Sequence, residues 1–463
     1  MNVPTAEIAR ATGARASDAG RLPKRVEIAT DTRAIRPGAL FVALRGARFD
    51  GHEHVAAALA AGASGVVVSR PEAVPPGTPA FVVADTAQAY LALGALARSQ
   101  SRVALAAVTG SAGKTTTRAL LAMLLETEAP GRVAAALGNE NNELGVAKLL
   151  LAVPEGARYV VAELGARHFG EIEPLARAAR PDVAILTNVG EAHLEIMGSP
   201  QRLADTKWAI FATGAAPVLG AADAVSRERA GTLGRPVTWF ALDAETAPAT
   251  SADAVVRLLD RERLAIERAG ATETFDVTVG VPGDHNRRNV AAAAAGALAL
   301  GLAPGRIAAA LAGLVLPAGR YERVELGAAA AIYDAYNASP AGTLATLASF
   351  AAEPAARRIA VIASMAEVGP ESADHHVRVG AAAARAGLTT LLVGGDFAGD
   401  LARGARDGGL APENVVSFAD NAAALAWLRA NVRPGDVVLF KGSRRYRLEE
   451  IVAGLREAGA TGG

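Results

Sequence analysis

The sequence predicts an α/β protein of three domains, and three observations support this fold class. The chain has 463 residues, which is more than one hydrophobic core usually organises. Hydrophobic residues make up 51% and charged residues 20%, a balance that allows several buried cores. Short apolar runs alternate with alanine-rich helical stretches, a pattern typical of doubly wound parallel sheets. We therefore expect domains at residues 1–98, 99–316 and 317–463.

The first and third domains are predicted from strand-like runs separated by helical stretches. In the first, "ALFVAL", "GVVVS" and "AFVVA" indicate the strands of a small α/β domain, and "RPEAVPPGTP" (70–79) is typical of a loop. After "LPAGRYERVELG" (316–327) the alternation restarts with "AAIYDAYN", "RIAVIAS", "TLLVGG" and "DVVLFKG". This second series predicts a carboxyl-terminal, Rossmann-like α/β domain.

The central domain is predicted from a strand, a glycine turn and a helix in direct succession. "VALAAVT" (103–109) is the strand, and "KTTTRALLAMLLE" begins the helix. Backbone N–H groups converge at such a turn and the helix dipole adds positive potential, so the turn can bind an anion. We interpret it as the phosphate-binding loop (P-loop) of a parallel-sheet ATPase domain. The predicted nucleotide contacts are Thr109, Gly110, Ser111, Ala112, Gly113, Lys114, Thr115 and Thr116.

Two side chains of this loop carry specific expectations. Lys114 can reach the β- and γ-phosphates of ATP, and the Thr115 hydroxyl can hold Mg²⁺. The strict P-loop pattern has glycine at the position of Val108, so the loop is a variant of that pattern. An ordinary glycine-containing turn between strand and helix is the alternative interpretation.

Polar side chains follow the next two predicted strands. Glu163 ends "VVAEL", "TN" (187–188) ends the following strand, and His193 lies in the loop after it. Ligands of doubly wound sheets gather at the carboxyl ends of strands, and Mg²⁺ prefers oxygen ligands. We expect Glu163 and Thr115 to supply the protein side of a magnesium site. Taken singly, Glu163 could cap a helix and His193 could be a hydrogen-bonded structural residue.

Two further polar segments are candidates for ligand binding. "GNENNELG" (138–145) concentrates amides and carboxylates between glycines, and we expect Asn142 to contact substrate. "GDHNRRN" (283–289) places Asn286 and Asn289 near a helix start. By composition these two asparagines favour a helix cap, and contact with a nucleotide base is the alternative.

Composition excludes several classes of protein. Lys+Arg and Asp+Glu each number 47, so net charge gives no support for nucleic-acid binding. The absence of cysteine excludes disulfides, thiolate metal sites and a cysteine nucleophile. The apolar stretch 290–305 is dominated by alanine and is interpreted as a buried helix. We expect a cytoplasmic monomer with small-molecule partners, no membrane insertion and no nucleic acid.

Taken together, these segments resemble the Mur ligases, the ATP-dependent amide-bond formers of peptidoglycan synthesis. The resemblance includes "TGSAGKTTT", "GNENNELG", "DTKWAIF", "GDHNRRN", "AGRYE", "YDAYNASP" and "KGSR", in the same order along nearly the whole chain. "DTRAIRPGALFVALRGARFDGHEHV" and "ELGARHFGEI" are most similar to the MurF branch. That branch implies addition of D-alanyl-D-alanine to UDP-N-acetylmuramoyl-tripeptide through an acyl phosphate, with ATP and Mg²⁺ as cofactors.

The resemblance also implies roles for residues that spacing alone does not identify. Catalysis is implied for Lys114, Glu163, His193 and Lys207, and a second metal contact for His193. Lys207 matches a lysine that the family often carries as a carbamate, which would add a carboxylate beside the metals. The resemblance places the nucleotide on Asn289, Arg320 and Asp334. It places the substrates on Asp31, Thr32 and Arg33 (the UDP end) and on Asn337, Lys441 and Arg444 (the incoming amine).

Four positions depart from the MurF pattern and leave alternatives open. Ala209, Ala363, Ser364 and Ser339 stand where an acidic residue, Gly-Asp and Asn are common. A paralogue that joins a different amine to a different carboxylate therefore remains an alternative. A nucleotide-binding protein without ligase activity and a motor-like or signalling P-loop NTPase are two others. The third residue of the peptide, the domain arrangement and the carbamylation of Lys207 are left open.

Overall fold

The fold was analysed in a computed structural model that describes residues 1–46, 49–190, 194–243, 245–248 and 252–460. It is an α/β protein with separate sheets in its amino-terminal, central and carboxyl-terminal parts. Within these ranges, no helix is both long and apolar enough to cross a bilayer.

The amino-terminal part forms a small α/β unit. Its elements are β1 (Val3–Pro4), α1 (Thr5–Thr12), β2 (Arg15–Ser17), β3 (Arg25–Val26), β4 (Ile28–Ala29), β5 (Leu40–Val42), α2 (Val55–Ala60), β6 (Gly65–Val68), β7 (Ala80–Val82) and α3 (Thr86–Ser99). The main sheet has the order β2-β7-β6-β5-β4, and β1 pairs with β3 separately. The three runs predicted as strands all contain strands of this sheet.

The central part is built on a nine-stranded sheet. Its elements are β8 (Ala104–Thr109), α4 (Lys114–Glu128), β9 (Val133–Ala135), α5 (Glu143–Ala152), β10 (Tyr159–Glu163), α6 (Ile172–Ala179), β11 (Val183–Leu186), α7 (Leu194–Met197), α8 (Pro200–Trp208), β12 (Ala216–Gly220), α9 (Ala224–Arg229), β13 (Val237–Leu242), β14 (Ala252–Leu259), β15 (Arg263–Arg268), β16 (Ala271–Asp276), α10 (Asp284–Ala299) and α11 (Pro304–Ala310). The strand order is β16-β15-β14-β13-β12-β11-β8-β10-β9.

Strand β8 occupies the position at which the order of this sheet reverses. It pairs in parallel with β10 on one side and with β11 on the other. Its side chains alternate between two cores, with Leu105 and Ala107 in one and Ala106 and Val108 in the other. Helices therefore cover both faces, and the carboxyl end of β8 opens into the crevice where doubly wound sheets bind ligands.

The carboxyl-terminal part contains a six-stranded sheet. Its elements are β17 (Glu322–Leu326), β18 (Ala329–Tyr333), α12 (Pro340–Ala351), β19 (Arg358–Ala363), α13 (Ser372–Arg385), β20 (Thr390–Gly394), α14 (Ala398–Asp407), β21 (Val415–Ser417), α15 (Asn421–Asn431), β22 (Val437–Lys441) and α16 (Glu449–Ala460). The order is β17-β18-β22-β19-β20-β21, parallel except for β17. Separate hydrophobic clusters cover its two faces.

The structure confirms the parallel sheets and adds antiparallel edges that the sequence analysis did not predict. Strands β14, β15 and β16 form an antiparallel meander at the edge of the central sheet. The apolar stretch of α10 is a buried helix, as expected. The boundaries at 98/99 and 316/317 stay predictions. Near the first of them, α3 packs against α5 and α6 of the next unit.

Candidate functional site

The glycine turn after β8 has the backbone shape of a phosphate-binding loop. Gly110 and Gly113 have φ angles of 148° and 81°, which only glycine adopts readily. A Cβ at Gly110 would lie 1.9 Å from the Thr187 hydroxyl, and one at Gly113 would lie 2.3 Å from Asn289 Oδ1. Glycine is therefore required at both positions by conformation and by space.

The loop is held by the residues that follow β11. The Ser111 N–H donates to the Asn188 carbonyl at 2.9 Å, and the Ala112 N–H donates to Asn188 Oδ1 at 3.1 Å. The Thr187 hydroxyl and the Asn188 amide both donate to the Ala112 carbonyl. The "TN" pair at the strand end thus fixes the shape of the phosphate loop.

Lys114 is the first residue of α4 and lines the cavity in front of the loop. Its Nζ donates to the Gly110 carbonyl at 2.8 Å, so the side chain folds back over the turn. Burial lowers the pKa of Lys114, while the Glu163 carboxylate raises it and Arg320 lowers it further. The ammonium group is thus already close to the position that a bound anion would occupy.

Glu163 ends β10 and is 2% exposed. Asn141 Nδ2 donates to its Oε1 at 2.8 Å, and the Arg118 guanidinium lies 3.5 Å from its Oε2. Neither Glu163 Oε2 nor Arg118 Nε has a hydrogen-bond partner among the described residues. A buried carboxylate oxygen without a donor is costly, so this oxygen is available to a ligand.

Lys207 lies near the end of α8 and is 1% exposed. No hydrogen-bond partner for its Nζ is found in the described part of the chain. Burial lowers the pKa of Lys207 to about 7, Lys114 lowers it further, and Glu171 raises it. The amine is therefore partly uncharged at neutral pH, unlike an ordinary surface lysine.

The asparagines of "GDHNRRN" lie on the first turns of α10, but neither caps that helix. The cap position is Gly283, without a side-chain cap, and Asn286 Nδ2 donates instead to the Pro282 carbonyl. Asn289 Oδ1 accepts from the Thr117 hydroxyl at 3.3 Å beside Gly113. The favoured cap interpretation is wrong, because Asn286 bonds to the Pro282 carbonyl and Asn289 bonds to Thr117 on α4, which packs against α10.

Charged residues of the carboxyl-terminal unit face the loop. Lys441 Nζ donates to Asp334 Oδ2 at 2.8 Å and to the Asn337 carbonyl at 3.0 Å, and both charged side chains are buried. The Arg320 and Arg444 guanidinium groups lie over the ring of Tyr336, 4.4 and 5.3 Å from its centroid. Burial lowers the pKa of Lys441, and Asp334 partly offsets this effect.

The phosphate loop, Glu163, Asn289 and the charged residues of the carboxyl-terminal unit line one cavity of about 910 Å³ between the central and carboxyl-terminal units, and Lys207 is not among its lining residues. A space of this size accommodates a nucleotide with part of a second ligand. The predicted residues that line it are Ser111, Ala112, Gly113, Lys114, Thr115, Thr116, Asn142, Glu163, Asn289, Arg320, Asp334, Asn337, Lys441 and Arg444.

The remaining predicted residues lie elsewhere. Thr109 is fully buried and its hydroxyl donates to the Leu164 carbonyl, so its side chain supports the strand end. Asp31, Thr32 and Arg33 are outside the cavity lining, on a short turn where Arg33 pairs with Asp31. His193 lies outside the described residues.

Sequence reasoning did not assign roles to several residues that line or support the cavity. Asn141 is held against Glu163, Asn188 holds the loop, and Tyr336 carries two arginines. All three lie in segments quoted for their composition or resemblance, "GNENNELG", "TN" and "YDAYNASP". No local sequence pattern identified these three residues as part of the cavity, because their partners lie in distant segments of the sequence.

Models of three Mur ligase domains match the chain. They are the Mur ligase family catalytic domain at residues 26–100, the Mur ligase middle domain at 108–297, and the Mur ligase glutamate ligase domain at 319–444. The matches follow the order of the three sheets.

Curated relatives and solved structures agree with these matches. The UDP-N-acetylmuramoyl-tripeptide–D-alanyl-D-alanine ligases of Mycobacterium leprae and Escherichia coli are 36% and 34% identical to the chain, covering 93% of it and 92% and 94% of their own lengths. A crystal structure of MurF from Acinetobacter baumannii has a TM-score of 0.85 at 28% identity, covering 99% of both chains. MurF from Thermotoga maritima in complex with ADP has a TM-score of 0.80 at 26% identity, covering 95% of this chain and 99% of its own. The chain therefore belongs to the Mur ligase family and, within it, to the MurF branch.

Proposed function

We propose that this protein is an ATP-dependent, ADP-forming ligase that adds D-alanyl-D-alanine to UDP-N-acetylmuramoyl-tripeptide in peptidoglycan synthesis. The observation that carries the proposal is the single cavity that joins the phosphate loop to the carboxyl-terminal residues predicted to receive the amine. An amide-forming ligase needs this juxtaposition, because the activated carboxylate must meet the amine before water does. The near full-length similarity to ligases of this name supports the choice of substrates.

The reaction proceeds in two displacements. A carboxylate oxygen of the tripeptide attacks the γ-phosphorus of ATP, and ADP leaves to give an acyl phosphate. The amine nitrogen of D-alanyl-D-alanine then attacks the acyl carbon and the amide bond forms. Inorganic phosphate leaves with the electron pair of the broken C–O bond and takes up the proton that the nitrogen loses. Lys114 and the loop N–H groups neutralise the charge that moves with the phosphoryl group.

The residues around Glu163 fit a magnesium ion, which would add to this charge neutralisation when bound with ATP. Glu163 Oε2 is buried without a hydrogen-bond donor, and Thr115 lines the same cavity. Mg²⁺ in nucleotide sites is commonly held by one or two carboxylates together with phosphate oxygens and water. We therefore propose Thr115 and Glu163 as ligands of one ion, with His193 contributing to a second.

Lys207 is proposed to act as a carbamate. The unpartnered amine with a pKa near 7 is suited to this reaction, because only the neutral amine adds to CO₂. Addition forms a C–N bond, releases one proton and converts the side chain into an anion. Such an anion would interact favourably with Lys114, whose positive charge now disfavours protonation of Lys207.

We assign one role to each predicted domain. Residues 1–98 bind the UDP end of the substrate through Asp31, Thr32 and Arg33, and residues 99–316 bind ATP, with Asn289 contacting the adenine and Asn142 the substrate. Residues 317–463 receive the amine near Asn337, Lys441 and Arg444, and supply Arg320 and Asp334 to the nucleotide. We further propose a cytoplasmic monomer, which size-exclusion chromatography with light scattering would test.

The positions that depart from the MurF pattern bear unequally on amine choice. Ser364 is buried and bonded to Gly394 and Phe397, and Ala363 is buried at the end of β19. Ser339 caps α12 through the Gly342 N–H and also lines the cavity. Among these three, Ser339 is thus the position from which a different amine would be selected.

The test is a ligase assay with purified protein, ATP, Mg²⁺, the UDP-tripeptide and D-alanyl-D-alanine. We expect ADP, phosphate and a UDP-pentapeptide whose mass shows the added dipeptide. Turnover with another amine, but none with D-alanyl-D-alanine, would assign the protein to a paralogous ligase. Nucleotide binding without turnover of any amine would favour the non-catalytic alternative.

A further inference from the structure

The arrangement of two arginines on Tyr336 is not explained by the roles given so far. Both guanidinium carbons lie within 5.3 Å of one ring centroid, so two positive charges share a small region of the cavity wall. Neither guanidinium group makes a hydrogen bond or an ion pair within the described part of the chain, and Arg320 Nε is buried without a partner. Two such cations repel each other unless an anion or an aromatic face is close.

The aromatic ring supplies the local attraction that keeps the two groups together. A guanidinium over a tyrosine face interacts with the negative potential of the ring and loses none of its N–H donors. Tyr336 lies in the segment between β18 and α12, and its ring lines the cavity with both arginines. The side chains are therefore preorganised while their donor groups stay available to a ligand.

The surroundings of the two arginines differ. Burial lowers the pKa of Arg320 while the Glu163 carboxylate raises it, and the Arg320 charge adds to the burial that lowers the pKa of Lys114, so Arg320 lies at the phosphoryl end of the cavity. Arg444 is exposed on the turn after β22, beyond Lys441. The incoming dipeptide carries a carboxylate some distance from its reacting amine, and a planar guanidinium matches a carboxylate with two parallel hydrogen bonds.

We propose that Tyr336 is a positioning residue that sets Arg320 against the phosphoryl group and Arg444 against the carboxylate of the incoming amino compound. The proposal rests on the proposed ligase function and adds a residue to it. Because both arginines contact one ring, the ring fixes the position of the phosphoryl group relative to that of the incoming amine.

The experiment compares Tyr336→Leu, which removes the ring, with Tyr336→Phe, which keeps it. Phe169→Leu is the matched control, because Arg202 lies over that ring at 4.6 Å and Phe169 is outside the cavity lining. We expect Tyr336→Leu to raise the KM values of ATP and of D-alanyl-D-alanine about three- to tenfold each, the scale of a cation–π contact. Tyr336→Phe should keep both KM values within about twofold of wild type, since the quadrupole of the ring is kept.

The Arg444→Ala variant separates the effect of Tyr336 on the dipeptide, through Arg444, from its effect on ATP, through Arg320. In Arg444→Ala, adding Tyr336→Leu should leave the KM of the dipeptide unchanged and still raise that of ATP. Unchanged KM values in Tyr336→Leu, or a full effect on the dipeptide without Arg444, would overturn the proposal. Thermal melting identifies unfolded variants, and Tyr336→Gln replaces the leucine variant if that one does not fold.

Failure of the ligase function itself gives a different pattern. Wild-type protein would then form no pentapeptide, and the carboxylate assignment of Arg444 would fall with it. In that case, calorimetric titration with a non-hydrolysable ATP analogue tests whether Tyr336 positions Arg320 for nucleotide binding. An affinity of Tyr336→Leu for this analogue equal to that of wild type would overturn the proposed positioning of Arg320 as well.

Discussion

Lys114 is the residue on which the proposed nucleotide chemistry depends most directly. Its Nζ already bridges back to the Gly110 carbonyl, so loss of the side chain removes a positioned cation without opening the core. Lys114→Ala should lower kcat by at least about 100-fold, as removal of one preorganised donor does elsewhere. The ligase assay measures it, with the exposed Lys24→Ala as control. A Lys114→Ala enzyme with full activity would refute the phosphate-loop role.

Lys207 allows stability and activity to be separated. The pKa is about 7 in the folded protein and ordinarily 10.5, so the folded state binds this proton less tightly than the unfolded chain. The resulting destabilisation is absent well above pH 10.5, grows as the pH falls, and is complete below about pH 7.

Lys207→Met should therefore raise the melting temperature at pH 7 more than at pH 10, in CO₂-free buffer without ATP or Mg²⁺. The same variant and Lys207→Ala should lose most ligase activity, and added bicarbonate should not rescue either. Full activity of Lys207→Ala would exclude the carbamate. A gain in melting temperature that is the same at both pH values would contradict the lowered pKa.

At the scale of elements, the end of α3 is attached to the central unit by one buried arginine. The Arg98 guanidinium donates to the carbonyls of Ala179, Val103 and Arg180 and to Asp182, at 2.9 to 3.0 Å. These acceptors terminate α6, precede β8 and precede β11. The hydrophobic core also runs continuously from the first unit into the second, so the arginine adds polar contacts to an apolar interface.

Arg98→Ala should lower the free energy of unfolding by about 2–4 kcal/mol, because it leaves buried carbonyl groups without donors. Arg10, whose side chain is 81% exposed, is the control, and Arg10→Ala should change stability by no more than about 0.5 kcal/mol. Urea denaturation followed by tryptophan fluorescence and circular dichroism measures both. Equal effects of the two substitutions would show that the buried contact contributes nothing measurable.

At the scale of the whole molecule, the proposed reaction needs the carboxyl-terminal unit to lie close to the proposed nucleotide site. Gly283 has a φ of 77°, and a Cβ there would lie 2.0 Å from Ser349 Oγ on α12. The same Ser349 Oγ forms a hydrogen bond with His285 Nδ1 on α10, at 3.3 Å. This glycine thus permits α12 to pack against the start of α10, where Asn286 and Asn289 lie.

Gly283→Ala should lower kcat/KM about 10- to 100-fold, because it displaces the domain that we propose receives the amine. Gly301→Ala is the matched control, since Gly301 has a φ of 89° just after the other end of α10 and open space around it. Ser349→Gly should restore part of the activity of Gly283→Ala. No difference between the two alanine variants would show that the close approach is not needed for turnover.

The sequence by itself determined the alternation of strands and helices along the chain, the phosphate loop and the burial of the apolar helix, which ends at Ala299 rather than at residue 305. These features depend on neighbouring residues: alternation of apolar runs, two glycines beside a strand end, and an apolar run of helical length. The resemblance added the branch and the predicted cavity residues of the carboxyl-terminal unit, Arg320, Asp334, Asn337, Lys441 and Arg444. The antiparallel meander of β14–β16 was missed, because its strands pair at a sheet edge that the local patterns considered did not indicate.

Only the tertiary structure decided which polar groups meet. Asn188 and Ala112 are 76 residues apart in the sequence, and Asn141 and Glu163 are 22 apart. Each pair forms because parallel strands bring their carboxyl ends to one edge of the sheet. The stack of Arg320 and Arg444 on Tyr336 likewise joins three separate segments. Local periodicity reports the burial of each segment but not its neighbours, so the shared cavity follows from topology and packing alone.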